Sequence, residues 1–147
     1  MISEHFNNIY PPVMVLKNTN VSRDKVTYLD LTISIYRGKY MYYSYDKRKD
    51  FDFKVVNYPN LTGNVPSAQS YGVFTSQLVR FCEINQNSKH FLADTRDIID
   101  TLHMQGYCLK KMKVRYLGFC RKFLNKWGKY NMDISASKVV NKLFQFA

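Results

Sequence analysis

Acidic residues are scarce in this 147-residue chain: 11 Asp and Glu stand against 22 Lys and Arg, a formal net charge of +11 at pH 7. The deficit points to a polyanionic partner, nucleic acid ahead of an acidic membrane surface. Long apolar runs are also missing, since no stretch approaches the roughly 18 residues of a spanning helix. The start, Met1-Ile2-Ser3-Glu4-His5, lacks the basic-then-apolar order of a secretory signal. The expectation is a soluble, intracellular protein, with no signal that separates nucleus from cytoplasm. Cysteine is sparse as well. Cys82, Cys108 and Cys120 form an odd set without a Cys-x-x-Cys pair, which excludes a disulfide framework or zinc knuckle and reads as reduced, buried thiols. His5, His90 and His103 match no ligand spacing, and no Gly-rich phosphate loop, nucleophile elbow or His-Glu metal signature occurs. Asp50 and Asp52 share one face of an extended segment, and Asp94, Asp97 and Asp100 one side of the second helix; either set could in principle hold Mg²⁺, but Asp97 and Asp100 read first as the wet side of an amphipathic helix. No cofactor is expected for this chain.

What is present is apolar material, 46% of the residues, enough for one domain or two small packed units. From Val26 to Tyr45 the pattern alternates, with Leu29, Leu31, Ile33 and Ile35 on one side and Tyr28, Asp30, Thr32 and Ser34 on the other. Arg37-Gly38 supplies a turn, and the Tyr-rich run Lys39 to Tyr45 returns as a second strand. Leu31, Ile33 and Ile35 are expected against helical residues such as Phe74 and Leu78, because a lone hairpin is marginal in water. Asp46 to Pro66, rich in Asn, Pro and Gly, reads as a connector.

Beyond Pro66 the period becomes helical. Phe74, Leu78, Phe81 and Cys82 form one stripe; Phe91, Thr95, Ile98, Ile99 and Leu102 form a second, opened by Asn87-Ser88 and closed at Gly106. A third helix from Leu109 to about Trp127 buries Leu109, Met112, Tyr116, Phe119, Cys120, Phe123 and Trp127, and a short fourth follows Ser137 with Val140, Leu143 and Phe144 inward. The fold class is α+β: an N-terminal β-hairpin, then a bundle of three to four helices. The division falls at residues 1–60 and 61–147.

The third helix concentrates the charge. Lys110, Lys111, Lys113, Arg115, Arg121, Lys122, Lys126 and Lys129 lie between Tyr107 and Tyr130 with no acid among them. At 100° per residue from Lys110, the apolar set spans about 180° to 340°, and every basic position but Lys113 falls within about 0° to 160°. Lys111, Arg115, Lys122, Lys126 and Lys129 share the open face, flanked by Lys110 and Arg121. A merely solvated helix mixes signs for i,i+4 pairing, so an all-basic face favours phosphate contact. Lys47 and Arg48 extend the basic set beside the hairpin, whose Tyr36, Tyr40, Tyr42, Tyr43 and Tyr45 suit cross-strand packing first and base stacking second.

Tyr28-Leu29-Asp30-Leu31-Thr32-Ile33, then Gly38, then Tyr45-Asp46-Lys47-Arg48-Lys49-Asp50-Phe51 resemble the end of the reverse transcriptase domain in animal retroelements of the Penelope-like kind. The likeness continues through Asn57-Tyr58-Pro59, Asn64-Val65-Pro66, Tyr71-Gly72-Val73, Ser76 to Cys82 and Gln105-Gly106-Tyr107, over about residues 9 to 130. Tyr45, Lys47 and Asp50 match the family's Tyr-Arg-Lys-Pro-Thr-Asp pattern; Lys49 departs from it, and no proline lies between Tyr45 and Phe51. The resemblance implies a palm-edge hairpin and a thumb that grips template-primer duplex by its backbone, with an upstream palm as partner. The family's paired aspartates precede the Leu-Asp-Leu strand, and no Asp-Asp dipeptide occurs here. Magnesium belongs only to a complete polymerase, and no polymerase activity is expected from this chain alone, since two-metal chemistry needs closely placed carboxylates. The expectation is therefore a template-primer-binding fragment of an RNA-directed DNA polymerase, retrotransposon-like in origin. Its alternative is a non-enzymatic nucleic-acid- or protein-binding module derived from such an element.

Overall fold

A computed structural model of the chain describes residues 11, 13, 22–53, 55, 57–124, 130 and 134–145, with backbone alone at 123 and 124. Strands β1 (Lys25–Tyr28), β2 (Leu31–Tyr36) and β3 (Lys39–Ser44) form an antiparallel sheet in the order β1-β2-β3. The expected hairpin is β2–β3, turned at Arg37-Gly38 with φ of 51° and 73°, the paired left-handed geometry that a two-residue hairpin loop favours. The alternation ahead of it is not one strand. It breaks at Leu29-Asp30, where Leu29 takes a φ of 52° and the chain doubles back to set Tyr28 opposite Leu31. A leucine is a poor choice for a left-handed position, so the sequence carries no turn signal there.

Among the described residues four α-helices follow: α1 (Ser67–Ile84), α2 (Ser88–Met104), α3 (Leu109–Phe119) and α4 (Ser137–Leu143). The chain is α+β, a small sheet followed by a helix bundle, as its sequence pattern implies. Phe74, Leu78 and Cys82 of α1, Phe91, Ile98, Ile99 and Leu102 of α2, and Met112, Tyr116 and Phe119 of α3 make the core, joined by Val140 and Leu143 of α4. The Asn87 side chain caps α2 by accepting the His90 N–H at 3.0 Å. Gly106 ends the joint with a φ of 90°. Arg96 on α2 donates to the carbonyls of Lys142, Leu143 and Gln145 at 3.1, 2.8 and 2.9 Å, placing a cation at the negative end of α4.

Three sequence expectations change. The third helix does not run on as α-helix to Trp127; at Cys120–Leu124 it widens into a π-turn, and Phe119 and Cys120 at the junction are both buried. Trp127 lies outside the described residues, as do His5 and the side chain of Phe123. Cys82 and Cys120 are buried thiols, whereas Cys108 is exposed at the start of α3. The sheet also meets the bundle differently. Leu31 and Ile33 are half-buried and Ile35 is 46% exposed, while Thr32 between them is buried. Phe74 and Leu78 are enclosed by the helices themselves.

The reason is that β3 docks by its edge and not by an apolar face. Fully buried Asn85, just past α1, accepts the Ser44 N–H at 3.0 Å and donates to Asp94 of α2 at 2.7 Å; Ser44 Oγ donates to the same carboxylate. The Gln86 N–H donates to the Tyr42 carbonyl at 3.2 Å, and the Gln86 side-chain oxygen accepts the Tyr42 N–H at 3.2 Å. Arg80 of α1 pairs with Asp30 at 2.5 Å, and the Tyr43 ring lies 4.4 Å from that of His90. Hydrogen bonds thus do the work expected of Leu31, Ile33 and Ile35. Asn85→Ala leaves the Ser44 amide and Asp94 short of partners and is expected to cost about 2 to 3 kcal/mol in chemical denaturation. Ile35→Ala is expected to cost less than about 1 kcal/mol.

Candidate nucleic-acid interface

Helix α3 sorts its residues as the angular pattern requires. Met112, Tyr116 and Phe119 are buried, and Tyr116 donates its hydroxyl to the Ile134 carbonyl at 2.9 Å, anchoring the helix. Lys110, Lys111, Arg121 and Lys122 are exposed and Arg115 is half-buried. Lys113, the one cation off the basic sector, turns aside to donate to Asn141 of α4 at 3.0 Å. No described carboxylate forms an ion pair with Lys110, Lys111, Arg115 or Arg121. The described ion pairs use other cations: Arg48 with Asp46, Lys49 with Asp97, Arg80 with Asp30 and Arg96 with Asp100. Lys126 and Lys129 lie outside the described residues.

The start of α3 is built against the start of α1. Buried Tyr71 accepts the Cys108 N–H at 2.7 Å through its hydroxyl and stands edge-on to Tyr107, ring centres 5.0 Å apart. Lys111 Nζ and Arg115 Cζ each lie 5.6 Å from the Tyr71 ring centre, so one ring face system positions two cations. Between these helices opens a cleft of about 400 Å³, where Ser67, Ala68 and Tyr71 face Lys110, Lys111, Val114 and Arg115. Of the residues selected from the sequence, Lys110, Lys111 and Arg115 are brought together here. Arg121 and Lys122 continue the exposed face on the π-turn.

Lys47 and Arg48 are elsewhere, on a 3₁₀ turn at Lys47–Asp50. Arg48 is committed to Asp46 through two bonds of 2.6 and 2.8 Å and stacks over Tyr58; Lys47 is exposed. Burial raises the Asp46 carboxyl, but bonds from Arg48 outweigh it and hold the group below its ordinary range. Tyr45 donates to Asp50. Of the hairpin tyrosines, Tyr36 and Tyr40 are 60% and 72% exposed, while Tyr43 packs on His90. Asp97 and Asp100 are bound to Lys49 and Arg96, and Asp94 serves the sheet joint. Among the described residues no three of His, Cys, Asp and Glu converge on a metal position, and no helix is long and apolar enough to cross a membrane.

Sequence reasoning overlooked Tyr71, Ala68 and Val114, whose apolar character reads as core or as noise until α1 and α3 are placed side by side. Cys108, expected to be buried with the other two thiols, is instead exposed at the start of α3. Backbone amides of Lys111 and Lys110 face its sulfur without closing a full capping bond and draw the thiol below the usual cysteine range, with both ammonium charges adding to the effect. A lowered thiol retains its thiolate as pH falls. Alkylation of the folded protein by iodoacetamide is therefore expected to modify Cys108 ahead of Cys82 and Cys120, with a pH–rate midpoint below that of a free cysteine. A midpoint at or above it contradicts this. Comparison of the chain with protein-family models, curated proteins and solved structures found no match.

Proposed function

We propose that this chain binds nucleic-acid duplex through phosphate contacts made by α3 and the π-turn. One observation carries the reading: the cations of this face lie on one side of a helix whose other side is core, and four of them have no described acid to neutralise them. Such a surface suits a partner that brings its own regularly spaced negative charge. Backbone contacts read charge and groove shape and not base identity, so binding is sequence-independent. The resemblance to the palm edge and thumb of Penelope-like reverse transcriptases supports a template-primer duplex as that partner. The activity proposed is therefore gripping, within an RNA-directed DNA polymerase whose catalytic aspartates are not in this sequence.

A second surface supports an upstream palm as protein partner. The sheet face bearing Val26, Tyr28, Ile35 and Tyr40 is left 36%, 67%, 46% and 72% exposed, an apolar area that the edge-docked geometry does not cover. The same face fits the alternative of a free-standing interaction module. Co-purification with a palm segment separates the two.

The duplex reading is tested by fluorescence anisotropy with an RNA–DNA hybrid of two unrelated sequences across a salt series. Arg121→Gln with Lys122→Gln is expected to weaken both hybrids alike and to flatten the log–log salt slope by about 0.9 per lost contact. Unchanged affinity and slope in the folded double variant contradict it.

A further inference from the structure

The cleft between α1 and α3 differs from the rest of the basic face. Along the π-turn the cations point outward from one helix, as suits a line of phosphodiesters with one charge each. Between α1 and α3 three cations, Lys110, Lys111 and Arg115, line one shallow, solvent-open depression of about 400 Å³. Two of them are preorganised, because Tyr71 holds both against its ring while its own position is fixed by burial, by the Cys108 amide and by Tyr107. The opposite wall adds positive character: the first turn of α1, where Ser67 lines the cleft, has neither an acidic residue nor a side-chain cap. The remaining lining is apolar. Ala68 contributes a methyl wall, and Val114 stands 70% exposed among the cations, where a helix surface usually carries a polar residue.

Concentrated positive charge beside an apolar wall fits an anion of high charge joined to a flat apolar group. A phosphate monoester approaches two negative charges at neutral pH and has three terminal oxygens, whereas an internal phosphodiester carries one charge. We propose that this cleft binds the phosphate monoester of a nucleotide, with the phosphate on Lys110, Lys111 and Arg115 and the nucleoside against Ala68 and Val114. The proposal deepens the nucleic-acid reading of α3: the helix holds internal backbone along its exposed face and a nucleotide monoester at its N-terminal end. Binding here is non-covalent and breaks no bond.

The test uses the full chain and four probes: one duplex with hydroxyl ends, the same duplex with 5′-phosphate or with 3′-phosphate, and adenosine 5′-monophosphate. A phosphorylated duplex is expected to bind about five-fold or more tightly than its hydroxyl-ended twin. Val114→Glu places an acid at an exposed position, so the fold is kept, and it is expected to abolish that preference, as is Arg115→Gln. Arg121→Gln is expected to weaken all duplexes alike and preserve the preference. Competition by the mononucleotide identifies a free nucleotide as a sufficient ligand; preference without such competition identifies a strand end, and either supports the cleft. Equal binding of all three duplexes with no mononucleotide binding overturns it and leaves the duplex reading standing. Mononucleotide binding without duplex binding supports the cleft and overturns the duplex reading. No binding of any probe overturns both.

Discussion

The buried amide of Asn85 links the parts of this protein that the apolar core does not join. Its oxygen accepts from β3, its nitrogen donates to Asp94 of α2, its own backbone N–H closes α1 on Phe81 at 3.0 Å, and its carbonyl accepts the Tyr130 hydroxyl at 3.2 Å. Burial pushes the Tyr130 phenol well above its ordinary range, so it stays a neutral donor at this joint. A buried amide with every atom engaged tolerates little displacement, because each lost bond leaves a polar group without water to replace it. The sheet can therefore be attached by its edge while Val26, Tyr28, Ile35 and Tyr40 of one face stay exposed. At about 1.5 Å per residue, α1 places this joint some 25 Å from the cleft at its other end. One helix thus carries the sheet at its C-terminus and borders the cationic site at its N-terminus.

Charge is distributed by the same economy of contacts. The described ion pairs are exposed or half-exposed, and pairs of that kind each contribute little to stability. Their consequence lies in where acids are spent. Asp30, Asp46, Asp97 and Asp100 pair with cations elsewhere, and no acid lies between Tyr107 and Tyr130 to dampen the field along α3. A helix whose exposed side carries cations and no acid gives up i,i+4 pairing and gains attraction for a polyanion.

The helical half was legible because side-chain period and packing agree there. Phe91, Thr95, Ile98, Ile99 and Leu102 fall on one stripe and all are buried, and Gly106 takes the left-handed backbone that ends the α2 joint. The sheet was less legible because its decisive contacts are polar and long-range. Nothing near Ser44 in sequence announces Asn85, forty-one positions on, and the turn at Leu29 uses a residue that turn chemistry disfavours. The basic face was readable from spacing alone, as was the exception of Lys113. The cleft was not, since its floor comes from Tyr71 and Ala68 on another helix and only tertiary placement brings them to Lys111 and Arg115. Arg48 shows the converse: charge counting selects it, while the nearby Asp46 already occupies its guanidinium.

Phosphate gripping by one face of one helix is a claim about location as well as affinity, and an amine-reactivity footprint reads location directly. Lysines of the folded chain are acylated with and without a saturating RNA–DNA hybrid, and the extent at each position is measured by mass spectrometry. The account predicts protection of Lys110, Lys111 and Lys122, with Lys89, Lys138 and Lys142, exposed on other helices, reacting at the same rate in both samples. Equal protection at all six lysines, or protection confined to Lys89, Lys138 and Lys142, would contradict it.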